Sequence, residues 1–203
     1  MFLFGVTGGI GAGKTTVCRL LRESGVPILE ADPLAKELTN RLPEIRQALT
    51  AEFGADVYAE NGELNKERLS EIVFSDPEKR RRVNQIIHPH VLQAIRHEAE
   101  RLQREEGHEL VGVEAALIYE SGMEQMLDAV VVVTAPLDKR IAWLQQRNQL
   151  TRAEVEKRMQ AQMPVAEKIK RADYVLENDG SLDQLRARVH ALLDWLQKHV
   201  AGR

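Results

Sequence analysis

Phe2-Leu3-Phe4-Gly5-Val6-Thr7-Gly8-Gly9-Ile10-Gly11-Ala12-Gly13-Lys14-Thr15-Thr16 stands at the head of the chain. Its apolar first half, Phe2 to Thr7, is a short continuous run of the kind that makes a strand buried on both faces. Gly8 to Thr15 then spell G-x-x-x-x-G-K-T. Glycines let successive backbone N–H groups turn inward around a polyphosphate, a lysine reaches the terminal phosphates, and the following hydroxyl can ligate Mg²⁺. A helix opening at the end of the loop adds its positive end. Gly8, Gly9, Gly11, Ala12, Gly13, Lys14, Thr15 and Thr16 are therefore candidate nucleotide-binding residues, with Thr15 the metal ligand. A nucleoside triphosphate is the expected ligand.

Composition narrows the setting. A chain of 203 residues can bury one substantial core with appendages. Lys and Arg number 28 against 31 Asp and Glu, a balance that supplies no general field for gripping nucleic acid, so any anion site is local. The single cysteine, Cys18, excludes a disulfide framework and reads as a small buried hydrophobe on the helix after the loop. The chain enters its first strand without a basic leader, and no run of about 18 apolar residues occurs. A soluble, cytoplasmic, monomeric protein without nucleic-acid or membrane partners is expected.

Two further apolar runs, Glu109 to Ala116 and Ala129 to Thr134, read as buried parallel strands, and Val26 to Leu29 and Tyr174 to Leu176 as weaker ones. Helical patterns alternate with them, which argues for an α/β fold with a parallel sheet covered on both faces. Ligands in such sheets sit beyond the carboxyl ends of the strands. Residues 32–105 lack a convincing central strand and read as a helical insertion overhanging the loop, leaving 1–31 and 106–203 as the core. Residues 138–171 form a second helical excursion, richer in Arg and Lys. Thr151 with Glu154 and Ser181 with Gln184 make capping-box patterns, and Leu182, Leu185, Val189, Leu192, Leu193 and Leu196 share one face of the last helix. Asp76-Pro77 marks a helix start, and a long charged helix is expected from near Pro89 to Gly107.

Asp32 follows the weak second strand and would sit at its carboxyl end, where a carboxylate can take the proton of an attacking hydroxyl. Asp32-Pro33 equally fits a helix N-cap. Arg140 and Arg147 lie seven apart on one helix and Arg152 and Arg158 on the next, an arrangement suited to a lid over transferring phosphates or to a solvated face. Glu114 and Glu120 flank the end of the third strand; either could hold Mg²⁺ through water, or pair with a basic side chain. His88, before Pro89, reads as a turn residue rather than a base.

Taken in order, these residues resemble the dephospho-coenzyme A kinase family from Phe2 to about residue 197. The resemblance runs through Thr7 to Thr16, Glu30-Ala31-Asp32, Phe53-Gly54, Gly62-Glu63-Leu64, Ile72 to Pro77, His88-Pro89 and Leu117 to Gly122. It continues with Arg158, Gln162-Met163-Pro164, Lys168, Ala172-Asp173 and Asn178 to Ser181. It implies phosphorylation of the ribose 3′-hydroxyl of dephospho-CoA by ATP with Mg²⁺, on a P-loop core carrying a helical substrate domain and a lid. The base then falls on Asp32, the lid arginine on Arg140 and nucleotide-side residues on Arg147 and Asn178, while His88 and Gln162 match positions at the substrate or in domain packing; Glu114 is a further substrate-side candidate. Three departures from the usual pattern stand out: Glu30 for Asp, Ala116 for Pro in the stretch after the third strand, and Asn148-Gln149 for Asp-Gly. Another P-loop kinase, of the nucleoside-monophosphate type, is the alternative. A GTPase switch is disfavoured because Asn65-Lys66-Glu67-Arg68 fails the last position of the guanine-reading Asn-Lys-x-Asp.

Overall fold

The computed structural model describes residues 1–202 except 75, 149, 150 and 161, and of residues 147, 148 and 158 the backbone alone. Its elements in chain order are β1 (Phe2–Gly8), α1 (Lys14–Glu23), β2 (Ile28–Glu30), α2 (Ala31–Arg41), α3 (Pro43–Phe53), α4 (Lys66–Phe74), α5 (Pro77–Glu106) and β3 (Leu110–Glu114). They continue with α6 (Ile118–Ser121), β4 (Ala129–Thr134), α7 (Leu137–Asn148), α8 (Arg152–Gln160), α9 (Val165–Arg171), β5 (Tyr174–Glu177) and α10 (Leu182–Ala201).

The five strands form one sheet in the order β2-β3-β1-β4-β5, every pairing parallel. All seven residues of β1 are buried, as its uninterrupted apolar run requires of a central strand covered on both faces. On one face Phe4, Val6, Val131, Val133 and Leu176 pack against Val17, Cys18 and Leu21 of α1 and Leu185, Val189, Leu192 and Leu196 of α10. Gly112 of β3 leaves room there for the Phe4 ring. On the other face Gly5 makes space for Ile118 of α6. β1 lies between β3 and β4, so the strand order reverses at β1, and in such sheets ligands bind beyond the carboxyl ends at that point. The loop after Gly8 lies at that switch point.

Two compact units result, Met1–Glu30 with Glu98–Arg203, and Ala31–His97. The second has its own small core of Ile45, Leu49, Val57, Leu69 and Val83. There Tyr58 donates its hydroxyl hydrogen to the Thr39 carbonyl at 2.8 Å, under the Arg46 guanidinium 4.3 Å from its ring.

Several local expectations change. The long helix begins at Pro77, not near Pro89, and is capped by Asp76, whose Oδ1 accepts the Glu78 and Lys79 N–H groups. Pro89 lies inside it and costs one backbone hydrogen bond, but Val83 before it and Val91, Ile95 and Ala99 after it are all buried, so packing carries the helix through. The second junction between units falls inside this helix, at His97–Glu98, rather than at residue 105. Gly107, with φ 75°, ends the helix as expected. Asp32 is not an N-cap, because α2 already begins at Ala31. Leu182 of α10 is exposed, since it precedes the part of the helix that meets the sheet.

His88 occupies a half-buried position inside α5, not a turn, and burial lowers its pKa below the ordinary 6.5. The folded chain thus prefers neutral imidazole while the unfolded chain takes up a proton near 6.5; this contribution is complete above that pH and is lost as pH falls through the lower folded value. His88→Gln should flatten the pH dependence of thermal stability between about pH 7 and about pH 5. Equal slopes in the two proteins would remove His88 from that dependence.

Candidate active site

The loop between β1 and α1 is built from backbone. Gly13, the residue before α1, has φ 91° and ψ 22°, a left-handed conformation that other residues adopt only with strain, and a Cβ there would strike the Asn178 amide. A Cβ on Gly9 would strike the Arg140 guanidinium. Ala12 closes the turn by donating its N–H to the Gly9 carbonyl at 3.1 Å. No side chain caps α1 and no acidic residue sits in its first turn, so the positive end of its dipole is left uncompensated by the helix itself. Lys14 Nζ donates to the Gly8 carbonyl at 3.4 Å, which folds the side chain back over the loop.

Side chains from other elements brace this turn. The backbone N–H of Asn178, one residue beyond β5, donates to the Thr134 carbonyl at 2.6 Å, and its side-chain amide donates to the Ala12 carbonyl at 3.0 Å. Arg140 Nε donates to the Ile10 carbonyl at 2.9 Å. That arginine is only 7% exposed, and burial draws its pKa below the ordinary arginine value while leaving it charged near neutrality. Ile10 itself packs with Ile141 and Leu144 of α7 and Val155 of α8. The tip of the loop is thus held by the second helical excursion through one hydrogen bond and one apolar cluster.

Beneath the loop, Thr15 Oγ1 donates to Glu114 Oε1 at 3.3 Å. Glu114 ends β3 and pairs in register with Val6, which carries its carboxylate to the start of α1. The Cys18 thiol is pushed far up in pKa, chiefly by burial and next by Glu114, so it stays protonated as the sequence suggested. Two oxygen groups this close match an Mg²⁺ site, which takes one or two protein oxygens and completes its shell with water and phosphate. Among the described residues no cluster of three or more His, Cys, Asp or Glu forms a separate metal cage.

The structure brings together the loop residues Gly8 to Thr16, Glu114, Arg140 and Asn178. Asn178 spends its amide on the loop itself. The Arg147 and Arg158 side chains lie outside the described residues, and Arg152 is exposed and paired with Glu156 at 2.9 Å. Asp32, exposed, and His88 belong to the second unit. Gln162 is half-buried at the end of the excursion. Glu120 and Glu114 separate cleanly: Glu120 pairs with Lys168 at 3.0 Å and only Glu114 contacts Thr15. Lys168 enters the sequence reading only as part of the family resemblance, without a role; here Lys168 is fully buried and Ile169 exposed.

Asn178→Ala should leave the Ala12 carbonyl without its donor and loosen the turn, weakening triphosphate binding about tenfold by calorimetry with little change in fold. Unchanged affinity would show that the turn holds itself.

The dephospho-CoA kinase family model matches residues 2–184. The dephospho-CoA kinase of Salinibacter ruber is 44% identical over 195 residues, covering 96% of this chain and 97% of that protein, and that of Bacillus licheniformis is 38% identical, covering 95% of each. Among solved structures, protein TT1252 from Thermus thermophilus superposes with a TM-score of 0.80 at 38% identity, covering 96% of this chain and 97% of that one. The dephospho-CoA kinase from Campylobacter jejuni superposes at 0.70 and 24% identity, covering 97% and 98%, and shares the fold. A nucleotide loop braced in this way, on a chain matched almost end to end, establishes that the protein belongs to the dephospho-CoA kinase family.

Proposed function

We propose that this chain transfers the γ-phosphoryl group of ATP to the ribose 3′-hydroxyl of dephospho-CoA, giving CoA and ADP. The observation that carries the reading is the glycine-rich loop before α1 with Lys14, Arg140 and the Thr15–Glu114 pair gathered around it, in a chain of this family. Such chemistry needs little covalent help from the protein and depends on positioning and on neutralising charge. The loop amides and the N-terminus of α1 hold the phosphates, and Lys14 reaches their terminal oxygens.

Thr15 and Glu114 would hold Mg²⁺, which when bound neutralises charge on the β- and γ-phosphates. Arg140, already at the loop through Ile10, supplies a second fixed cation on the α7 side. An arginine that meets the transferring group contributes about 10³ to 10⁵ in rate. Arg147 completes the nucleotide side. Asp32 accepts the proton of the attacking hydroxyl, the helical insertion 32–105 binds dephospho-CoA, and His88 and Gln162 are substrate-side residues. The excursion α7–α8 acts as the lid, excluding water that would otherwise compete as nucleophile.

No helix among the described residues is long and apolar enough to cross a membrane. The reading includes a monomeric enzyme working in the cytoplasm on a small molecule.

ADP release with dephospho-CoA as acceptor, compared with nucleosides and nucleoside monophosphates, tests the substrate. Asp32→Asn should lower kcat by about 10² to 10⁴ while ATP affinity stays within about threefold, because the carboxylate acts on the acceptor hydroxyl. Unaltered turnover removes Asp32 from the reaction, and turnover of a nucleoside monophosphate in place of dephospho-CoA overturns the substrate.

A further inference from the structure

Lys168 is the one lysine that the fold buries completely among the described residues. Removing an ammonium from water costs several kcal/mol unless its donors are all met, and well-packed apolar residues often serve stability as well or better. Stability alone is thus a weak reason for a cation here, with Ile169 beside it turned to solvent.

The partners of Lys168 supply a stronger reason. Its Nζ lies 3.0 Å from Glu120 Oε1 and donates to the Ala116 carbonyl at 2.8 Å. Glu120 Oε1 also accepts the Met163 N–H at 2.8 Å, and the Ala116 carbonyl also accepts the Thr7 hydroxyl at 3.3 Å. One ammonium therefore joins the end of β1, the turn after β3 two residues beyond Glu114, and the peptide that leads from α8 into α9. Ala116, where the family usually has proline, uses only its carbonyl in this junction.

The α7–α8 excursion is anchored at both feet. At the α7 foot Arg140 and Ile10 bind it to the phosphate loop, and at the α9 foot Met163 and Lys168 bind it to the turn beyond Glu114. We propose that Lys168 is a positioning residue, a charged tether that fixes the α9 foot of the excursion and so sets where α8 rests while phosphate is transferred. Lys168 touches neither substrate; it works through Glu120, Met163 and Ala116. The proposal rests on the phosphoryl-transfer reading only for its effect on rate.

The test uses the double variant Lys168→Met with Glu120→Gln. Methionine fills much the same volume, and the glutamine carbonyl still accepts the Met163 N–H, so no buried charge is stranded and the chain should melt near the parent temperature. Hydrogen exchange of α8 amides should become about tenfold faster while α10 keeps its protection. With ATP and dephospho-CoA, kcat should fall about tenfold or more, with KM for ATP changed less than about threefold. A double variant that melts normally, keeps its α8 protection and keeps its kcat would reduce the pair to a structural contact and overturn the proposal. If the parent forms no ADP from dephospho-CoA, the reaction is wrong, whereas faster α8 exchange would still support the tether.

Discussion

A glycine-rich turn at the mouth of a parallel sheet, held by contacts from distant parts of the chain, is the constraint on which the rest of this molecule depends. A side chain at Gly9 or Gly13 would occupy space that Arg140 and Asn178 fill. Apart from Ile10 and Lys14 the loop has few side chains of its own to hold it, and other elements hold the rest. The sheet holds its base, since β1 is buried between β3 and β4 and cannot shift without breaking pairing on both sides. Placing the loop at the point where strand order reverses also leaves open space beyond it, the general location of ligands in such sheets.

The residues proposed for the chemistry also brace that loop. Asn178 fastens Ala12, Arg140 fastens Ile10, and Thr15 joins the start of α1 to Glu114 at the end of β3. Each contact comes from a different part of the chain, more than ninety residues away in sequence. Under the proposed function, a loop held in place this way leaves little reorganisation for the moment of reaction. The carboxylates divide by environment: Glu114 faces a hydroxyl at the loop, and Glu120 faces a buried ammonium away from it.

Features set by short-range chemistry were legible in the sequence: the spelling of the loop, the apolar strands β1 and β4, and the capping boxes at Thr151 and Ser181, both formed as written. Features decided by packing were not. Pro89 looked like a boundary because it breaks a hydrogen bond, yet buried residues on either side keep α5 continuous. The burial of Lys168 rests on Glu120, 48 residues earlier in the chain, and on the Ala116 carbonyl, and nothing local to Lys168 reveals either. Nothing local to Asn178 reveals that its amide reaches the Ala12 carbonyl.

Amide chemical shifts of the ¹⁵N-labelled protein, followed as a non-hydrolysable ATP analogue is added with Mg²⁺, test the central claim most directly. Large changes at Gly11, Gly13, Lys14 and Thr15, with far smaller ones along α10, are the expected result, because the phosphates would take their hydrogen bonds from those groups. Saturable binding that left these amides unmoved would place the triphosphate elsewhere and contradict the role of the loop.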